Sequence, residues 1–560
     1  MRTFLAALLC CVLTRTCPAQ PFQWVSTLGD VGVDRTERIA TDPSGNVYIA
    51  GSFTGHLDLD PGPGVVADST NGSVDLFVQK LSPTGELIYG HAFGGIAQEV
   101  ATSITADAAG NAYITGYIQS PFDADPGPGS FLIGPAGILD VLILKLDPTG
   151  NFLWAHVIGG ATLENGRAIA LDAASNIHVA GYFTGTIDFD PGPGTNFLTS
   201  AGGNDIFVLK LDPDGTFLWA ATMGGPGMDI AEAIAVDDLG NVITTGTVAD
   251  SADLDPGPGI TTLTSAGGLD VFVSKLDANG DHVWAKGFGG LSSEDAGRSI
   301  AINSLGEVHV AGHFANSVDF DPDPAVYQLS AVGSIDAFIT AFDAAGSHLW
   351  AARIGSTGED RGYALVADPT DQLFLTGFFS GTADLDPGPG SAPALSLGGT
   401  DAFVLRLDPT GALLGALTFG GTGDDRGNAL AVMMDGSFAV GGRFQDTVDF
   451  DPGIGDVLRA SAGLEDAFVV RFGDFSTGIT NAGTASLRPF PNPATDRLTV
   501  PCAACSGTWP YWVLDGLGRV LLHGALNGPA GLLDISTLPS GTYLLRTGAA
   551  PQQVLRFVKL

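Results

Sequence analysis

The chain repeats itself every 65 or 66 residues. An acidic segment of the form DxDPGPG begins at residues 58, 123, 188, 253, 319, 384 and 449, with "DFDPDPA" at 319 and "DFDPGIG" at 449 as variant copies. Seven copies at nearly constant spacing indicate a repeat protein in which each copy is one structural unit. Any chemistry of the acidic segment is therefore present once per unit.

A single repeat predicts four β-strands and no helix. In the third copy, residues 167–172, 176–183, 205–212 and 216–225 are alternating or apolar segments separated by Asn, Gly and Pro turns. Residues 184–204 form a predicted long loop that carries the acidic segment. Four antiparallel strands repeated seven times predict an all-β fold, a seven-bladed β-propeller.

The two ends of the repeat region predict how the propeller closes. Residues 22–29 match a fourth strand, since Trp24 lies 130 residues before Trp154, and the last repeat ends after its third strand at 466–472. We expect the N-terminal strand to complete the seventh blade, which removes an exposed sheet edge. The propeller is thus predicted to span residues 20–472.

The repeats resemble a known bacterial family. The segments "IATDPSGNVYIAGSF" (39–53) and "DIFVLKLDPDGTFLWAATMGG" (205–225) are similar to SBBP repeats, which form seven-bladed propellers. The resemblance covers about residues 22–472 and implies the fold. It implies little about activity, and the DxDPGPG insert departs from the usual spacing of that family.

The N-terminus predicts export. Arg2, the short apolar run 4–13 and the small residues before Ala19 are typical of a signal peptide spanning residues 1–19. No later segment is apolar over the roughly 20 residues that a transmembrane helix needs. In an exported chain, Cys502 and Cys505 are a possible disulfide.

The C-terminal segment differs in composition from the repeats. Residues 473–486 predict a linker, and the alternating segments of 487–560 predict a small β-sandwich. This tail resembles the C-terminal sorting domain of the type IX secretion system. The residues that match its motifs are Pro491, Asn492, Pro493, Asp496, Gly541, Tyr543 and Lys559. The resemblance implies the type IX secretion machinery as a partner, and the outside or outer-membrane surface of a Bacteroidetes-type bacterium as the location. An ordinary accessory sandwich is the alternative.

Acidic residues recur at fixed places in the repeat and are candidate ligands for Ca²⁺. Besides the acidic segments, one acid precedes the first strand and one Asp precedes the third strand of each copy, and up-and-down topology places all of them on one face. The candidate metal ligands are Asp58, Asp60, Asp123, Asp125, Asp188, Asp190, Asp253, Asp255, Asp319, Asp321, Asp384, Asp386, Asp449 and Asp451, with Asp34, Glu99, Glu164, Asp229, Asp295, Asp360 and Asp425 before the first strands. Calcium binds six to eight oxygen ligands in flexible geometry. The alternative is structural, because Asp before a Pro-Gly turn commonly accepts backbone N–H groups.

Charge and motifs limit the function. A net charge of −37 argues against nucleic acid and anionic membranes as partners. Catalytic motifs such as HExxH, GxSxG or a phosphate-binding loop do not occur. The sequence therefore favours a non-enzymatic binding or adhesion protein with an extracellular protein or glycan as ligand. A glycan-active enzyme and a structural surface-layer component are the alternatives.

Overall fold

The computed structural model describes residues 22–291, 295–453, 455–474, 494–501, 508–514, 520–527, 530–547 and 554–559. The signal peptide, most of the linker, residues 491–493 of the sorting motif and both tail cysteines lie outside these ranges. Within them every regular element is a β-strand, as predicted. No helix long and apolar enough to cross a membrane is found in this part of the chain.

Seven four-stranded antiparallel sheets, here called sheets I to VII, follow the seven repeats. The strands of sheet I are Arg35–Thr41, Val47–Phe53, Asp75–Leu81 and Leu87–Phe93. Those of sheet II are Glu99–Ala106, Ala112–Ile118, Asp140–Leu146 and Phe152–Ile158. Those of sheet III are Asn165–Leu171, Ile177–Phe183, Asp205–Leu211 and Phe217–Met223. Those of sheet IV are Ile230–Val236, Val242–Asp253, Thr262–Leu276 and His282–Phe288.

The remaining sheets keep this order. The strands of sheet V are Ala296–Ile302, Val308–Phe314, Asp336–Phe342 and His348–Ile354. Those of sheet VI are Arg361–Ala367, Leu373–Asp384, Pro393–Leu407 and Leu413–Phe419. Sheet VII has Arg426–Val432, Phe438–Phe444 and Asp466–Phe472 from the last repeat. Its fourth strand is the N-terminal segment Phe22–Leu28, which pairs antiparallel with Asp466–Phe472.

The acidic segments lie on hairpins rather than in the irregular loops that the sequence predicted. In five repeats a short separate pair of strands flanks the segment. These pairs are His56–Asp58 with Ala67–Ser69, Phe122–Asp123 with Leu132–Ile133, Thr186–Asp188 with Phe197–Thr199, Ser317–Asp319 with Gln328–Ser330, and Thr447–Asp449 with Leu458–Ala460. In sheets IV and VI the same hairpin continues the long second and third strands. Alternation in these segments is only three residues long, which is too short to predict strands.

The hydrophobic core lies between adjacent sheets. Second and third strands are buried on both faces; Asp140–Leu146, for example, has no exposed position. One cluster joins Tyr48 and Val78 of sheet I to Ile114 and Leu144 of sheet II. This burial explains why the third strands are nearly continuous apolar runs rather than alternating ones.

Aromatic and basic side chains connect each sheet to the next. Trp219 of sheet III donates its indole N–H to the carbonyl of Ala278, in the turn between the third and fourth strands of sheet IV (3.1 Å). Lys210 of sheet III donates to the same carbonyl (3.4 Å). Trp284 and Trp350 repeat the contact one and two sheets later. These three fourth-strand tryptophans therefore pack between sheets.

The tail folds separately from the repeats into two sheets. Arg497–Pro501 pairs with Ala530–Asp534, while Val520–Asn527, Thr508–Leu514, Gly541–Thr547 and Val554–Lys559 form a four-stranded sheet. Apolar side chains of both sheets share one core, as a small sandwich requires. Among the sorting-motif residues, Tyr543 donates to the carbonyl of Pro539 (2.7 Å) and Lys559 lies 3.9 Å from Asp496.

Trp24 is expected to carry much of the stability of the N-terminal strand. Its indole N–H donates to the carbonyl of Pro83 in sheet I (3.0 Å), and Arg471 of sheet VII donates to the same oxygen (2.8 Å). We expect Trp24→Ala to lower the free energy of unfolding by about 2–3 kcal/mol, measured by urea denaturation. The matched change Leu218→Ala, at an exposed fourth-strand position, is expected to cost less than about 0.5 kcal/mol. Equal losses would contradict this role.

Candidate functional site

The two Asp residues of each acidic segment accept hydrogen bonds from their own hairpin. In sheet III, Asp188 Oδ1 accepts the backbone N–H groups of Asp190 (3.2 Å) and Asn196 (2.7 Å), and Asp190 Oδ1 accepts that of Gly192 (2.8 Å). The other six hairpins have the same three bonds. These are Asx-type caps of the turn. They correspond to the structural role of the Asp residues that the sequence analysis gave as the alternative to calcium binding.

The acid before each first strand is buried and joins two loops. Asp229 accepts the N–H of Gly225, in the loop before it, at Oδ2 (2.7 Å), and the N–H of Ala249, at the end of the second strand, at Oδ1 (3.0 Å). In Glu164 the hydroxyl of Thr162 takes the place of the second amide. All seven acids are at most 1% exposed, so they are not part of an open acidic face as the sequence analysis expected. The seven are Asp34, Glu99, Glu164, Asp229, Asp295, Asp360 and Asp425.

A second buried carboxylate lies beside this acid at the boundary between sheets. Asp205, before the third strand of sheet III, accepts the N–H of Ala201 (2.8 Å) and interacts electrostatically with Asp229 of sheet IV. Gly224, at the end of the fourth strand, packs directly on the Asp205 carboxylate, where a Cβ would overlap it. The same contact recurs at Gly29, Gly94, Gly159, Gly289, Gly355 and Gly420. The glycine that ends each fourth strand is thus required by a buried carboxylate.

Burial changes the protonation of these acids. It raises the pKa of Asp229, Asp360 and Asp34 from 3.8 to about 6, and that of Asp425 to about 7. Neighbouring carboxylates add to this rise, whereas the backbone N–H groups oppose it. Burial likewise raises the pKa of Asp205 to about 6. These groups hold protons in the folded protein at pH values where the unfolded chain has released them.

The candidate ligands of the sequence analysis are therefore used mainly by the protein's own backbone. The pre-strand acids are brought next to the Asp before the third strand of the preceding repeat, whereas the hairpin acids bond within their own turns. No group of three or more acidic, His or Cys side chains placed to hold a metal ion is found among the residues that the structure describes. Calcium binding by the hairpins stays a prediction.

A different set of residues forms a site that the sequence analysis did not single out. Every first strand carries a β-bulge three residues after the pre-strand acid, seen as a register shift in its pairing with the second strand. A bulge redirects one side chain out of the regular alternation. The bulged residues are Glu37, Thr102, Arg167, Glu232, Arg298, Tyr363 and Asn428.

Glycine makes each bulge possible. Opposite it in the second strand stands a glycine whose Cβ would overlap a carbonyl of the first strand, for example Gly246 against Ile230. The seven glycines are Gly51, Gly116, Gly181, Gly246, Gly312, Gly377 and Gly442. A bulge is commonly retained where it aims a side chain at a functional site.

The seven bulged side chains line one cavity of about 520 Å³. It is also lined by Arg35, Arg38, Tyr117 and Arg443. Small-molecule sites commonly occupy about 300–1,000 Å³, so the cavity is large enough for a ligand.

Glu232 is the centre of an ion-pair cluster in this cavity. Arg167 donates to Glu232 Oε2 through Nε (2.9 Å) and Nη2 (2.5 Å), and Arg298 donates to Oε1 through Nη1 (2.8 Å). Burial opposes ionisation of Glu232, but the two guanidinium groups outweigh it and lower its pKa. The carboxylate is therefore held charged.

A signal for this site is present in the sequence. Positions three residues after the pre-strand acids read Glu, Thr, Arg, Glu, Arg, Tyr and Asn, whereas the two flanking positions are Gly, Ala, Ser or Thr in every copy except for Arg38. Variation in size and charge between two small positions marks this position as free of the packing constraint on its neighbours. Its inward direction depends on the bulge, which alternation alone does not predict.

Comparison with known proteins identifies the tail. Residues 488–558 match the family model of the secretion system C-terminal sorting domain. The sorting domain indicates a secreted or cell-surface protein exported by a type IX system. The family match covers the tail only.

The repeat region is similar to curated repeat proteins. It is 30% identical over 429 residues, 64% of this chain, to the uncharacterized WD repeat-containing protein L264 of Acanthamoeba polyphaga mimivirus, of which 30% is covered. It is 25% identical over 413 residues, 68% of this chain, to the regulatory protein FlaEY of Caulobacter vibrioides, of which 42% is covered. The chain thus spans less than half the length of these relatives.

Solved structures give a weaker likeness. The crystal structure of Sqt1 from Chaetomium thermophilum aligns with 81% of this chain and 100% of its own length at 13% identity, with a TM-score of 0.34. The repeated four-stranded sheets and the WD-repeat relative together indicate a propeller-like fold.

The acidic hairpins are expected to be stable without calcium. Because backbone N–H groups already occupy Oδ1 of Asp188 and fix the turn without a metal ion, we expect millimolar calcium to shift the melting temperature by less than about 1 °C relative to chelator. Asp188→Ala removes the acceptor of two amides and should lower the free energy of unfolding by about 1–2 kcal/mol with or without calcium. A rise of several degrees with calcium, absent in Asp188→Ala, would instead support the calcium hypothesis.

The stability that the buried acids contribute is expected to fall as pH rises through about 4 to 7. Acids such as Asp229, with a folded pKa of about 6 against an ordinary 3.8, bind more protons folded than unfolded in this window, and each contributes on the order of 1–3 kcal/mol. Buried histidines such as His178, whose pKa burial lowers to about 4, contribute with the opposite sign, so the test compares variants. From about pH 5 to about pH 7.5 the urea midpoint of Asp229→Asn should rise relative to that of the wild type, whereas Asp214→Asn, in an exposed turn, should follow the wild type. A midpoint difference between Asp229→Asn and the wild type that does not change with pH would contradict the assignment.

Proposed function

We propose that the seven sheets close into a seven-bladed β-propeller around the cavity. Several contacts support closure. The first strand of each sheet contacts that of the next, and the first strand of sheet VII, Arg426–Val432, contacts that of sheet I, Arg35–Thr41. The Pro83 carbonyl of sheet I also accepts hydrogen bonds from both Trp24 and Arg471 of sheet VII. Membership of the SBBP repeat type is part of the same proposal and rests on the segments at 39–53 and 205–225.

The protein is proposed to be an exported, non-catalytic binding protein whose ligand enters this central cavity. One observation carries the proposal: the framework of the seven sheets is repeated nearly unchanged, whereas the seven bulged residues that line the cavity differ in charge, size and aromaticity. A repeated framework with a single asymmetric cavity can recognise a ligand in one orientation. The sorting domain supports a position of this site outside the cell, where the ligand would be a glycan or protein.

The chemistry of the cavity supports binding rather than catalysis. A general acid at neutral pH needs a raised pKa, whereas the pKa of Glu232 is lowered by Arg167 and Arg298. The acids with raised pKa values lie at the sheet boundaries, where backbone N–H groups occupy them. The cavity therefore offers fixed charges and hydrogen-bonding groups.

An array of glycans and peptides tests this function. We expect the purified, secreted full-length protein to bind a restricted set of ligands. Tyr363→Ala removes an aromatic side chain from the cavity and is expected to weaken that binding by about tenfold or more. The matched variant Leu218→Ala, on the exposed edge of sheet III, should bind like the wild type.

The pattern of loss decides the outcome. Loss of ligand binding in Tyr363→Ala but not in Leu218→Ala supports the central cavity as the site. Binding that is equal in both variants, or no binding above background on any ligand, contradicts the proposal.

A further inference from the structure

The cavity is basic, although the chain as a whole is strongly acidic. The net charge is −37 and the chain has 24 basic residues. Five of them, all arginines, line this one cavity, together with two glutamates, Glu37 and Glu232. The arginines are Arg35, Arg38, Arg167, Arg298 and Arg443. Such concentration of scarce positive charge creates a local potential opposite in sign to that of the surface.

Two of the carboxylates near these arginines are shared between cations. Glu232 binds both Arg167 and Arg298, as described above. At the side of the cavity, Glu465 binds both Arg35 (2.9 Å) and Arg443 (2.8 Å). Including Glu465, five guanidinium groups face three carboxylates. The cavity therefore carries positive charge that its own acids do not neutralise.

Arg38 has no carboxylate partner among the described residues. It donates to the backbone carbonyls of Asn428 (2.9 Å) and Glu37 (3.5 Å), which orient the guanidinium without neutralising it. Burial lowers its pKa, although the carboxylates of Glu37 and Glu232 oppose this, and Arg167 and Arg298 lower it further. Arg298 in addition has a buried Nε–H with no hydrogen-bond partner. Arg38 is half-buried, and an anionic ligand would supply the carboxylate or sulfate partner that its guanidinium lacks.

The neutral part of the lining suits a hydroxyl-bearing ligand. Thr102, Gln98 and Asn428 offer hydrogen-bond donors and acceptors, while Tyr117 and Tyr363 offer aromatic faces with a polar tip. A sugar ring presents both hydroxyl groups and an apolar face. A volume of about 520 Å³ is within the range of small-ligand sites.

We propose that the central cavity binds an acidic saccharide, whose carboxylate or sulfate group pairs with Arg38 and faces Arg167 and Arg298. The inference rests on the proposed binding function and names its ligand class. Guanidinium groups recognise such oxyanions through paired N–H donors. Carboxylated and sulfated sugars share this chemistry, and the test separates them.

Calorimetric titration of the full-length protein tests the proposal with four probes: trigalacturonate, a sulfated chondroitin disaccharide, neutral trigalactose and a tetraglutamate peptide. We expect saturable binding of at least one acidic saccharide and none of trigalactose. Arg38→Gln should weaken this binding about tenfold or more. Arg459→Gln, which removes the same charge on a distant hairpin, should leave it unchanged.

A second variant, with the opposite expected effect on affinity, tests the proposal if Arg38→Gln folds poorly. Glu37→Gln removes a negative charge from the cavity lining and should strengthen the binding of the acidic saccharide severalfold. Trigalacturonate binding identifies a carboxylate ligand. Binding of the sulfated chondroitin disaccharide that is lost with its unsulfated counterpart, which keeps the uronate carboxylate, identifies a sulfated one.

Three results overturn the proposal: no binding of either acidic saccharide, equal affinity in Arg38→Gln and wild type, or tetraglutamate binding as tightly as the saccharides. A neutral ligand that requires Tyr363 but not Arg38 would leave the binding function standing while excluding the acidic saccharide. Failure of the acidic-saccharide proposal can therefore be distinguished from failure of the proposed binding function.

Discussion

Each boundary between adjacent sheets depends on a buried carboxylate that accepts hydrogen bonds, from backbone N–H groups of two segments in six repeats and from one N–H and the Thr162 hydroxyl at Glu164. Asp229 bonds the loop that enters sheet IV and the end of the second strand of the same sheet. Asp205 of the preceding sheet lies beside it and requires Gly224. Burying two carboxylates together is unfavourable unless amide donors satisfy them. Here the unfavourable burial is offset partly by amide hydrogen bonds and partly by protonation of the carboxylates. The loops must therefore keep the conformation that points these donors at the carboxylate.

This fixed boundary leaves the inner strands free to differ. Because the loops, turn glycines and interstrand carbonyl contacts hold each sheet, the bulged position contributes little to packing and can carry any polar or charged side chain. The bulge and its opposing glycine, as at Glu232 and Gly246, aim that side chain into the cavity. Structural uniformity and functional asymmetry therefore occupy different positions of one repeat.

In the acidic hairpins, too, residues that resemble a functional site in sequence have a structural role. Their Asp residues resemble a cation site in sequence, but backbone N–H groups of the turn occupy one oxygen of each carboxylate, as at Oδ1 of Asp188. Paired carboxylates in a Pro-Gly turn are equally suited to both uses, since Ca²⁺ and an N–H group prefer the same lone pairs. The spacing of the acids could not decide between them, because the positions of amide hydrogens follow from the folded turn.

The repeat spacing, strand patterning and turn residues by themselves determined an all-β chain of seven four-stranded units, the four main strands of the third repeat to within about two residues, and the sorting tail. These features are local or periodic, and neighbouring residues encode them. The same patterns did not determine the short hairpin strands around the acidic segments. Tertiary structure decided which acids are buried and why a glycine must end each fourth strand. It also decided that the variable positions meet in one basic cavity. These properties bring together residues as distant as Arg38 and Asn428, and they depend on bulges and sheet packing that no local pattern specifies.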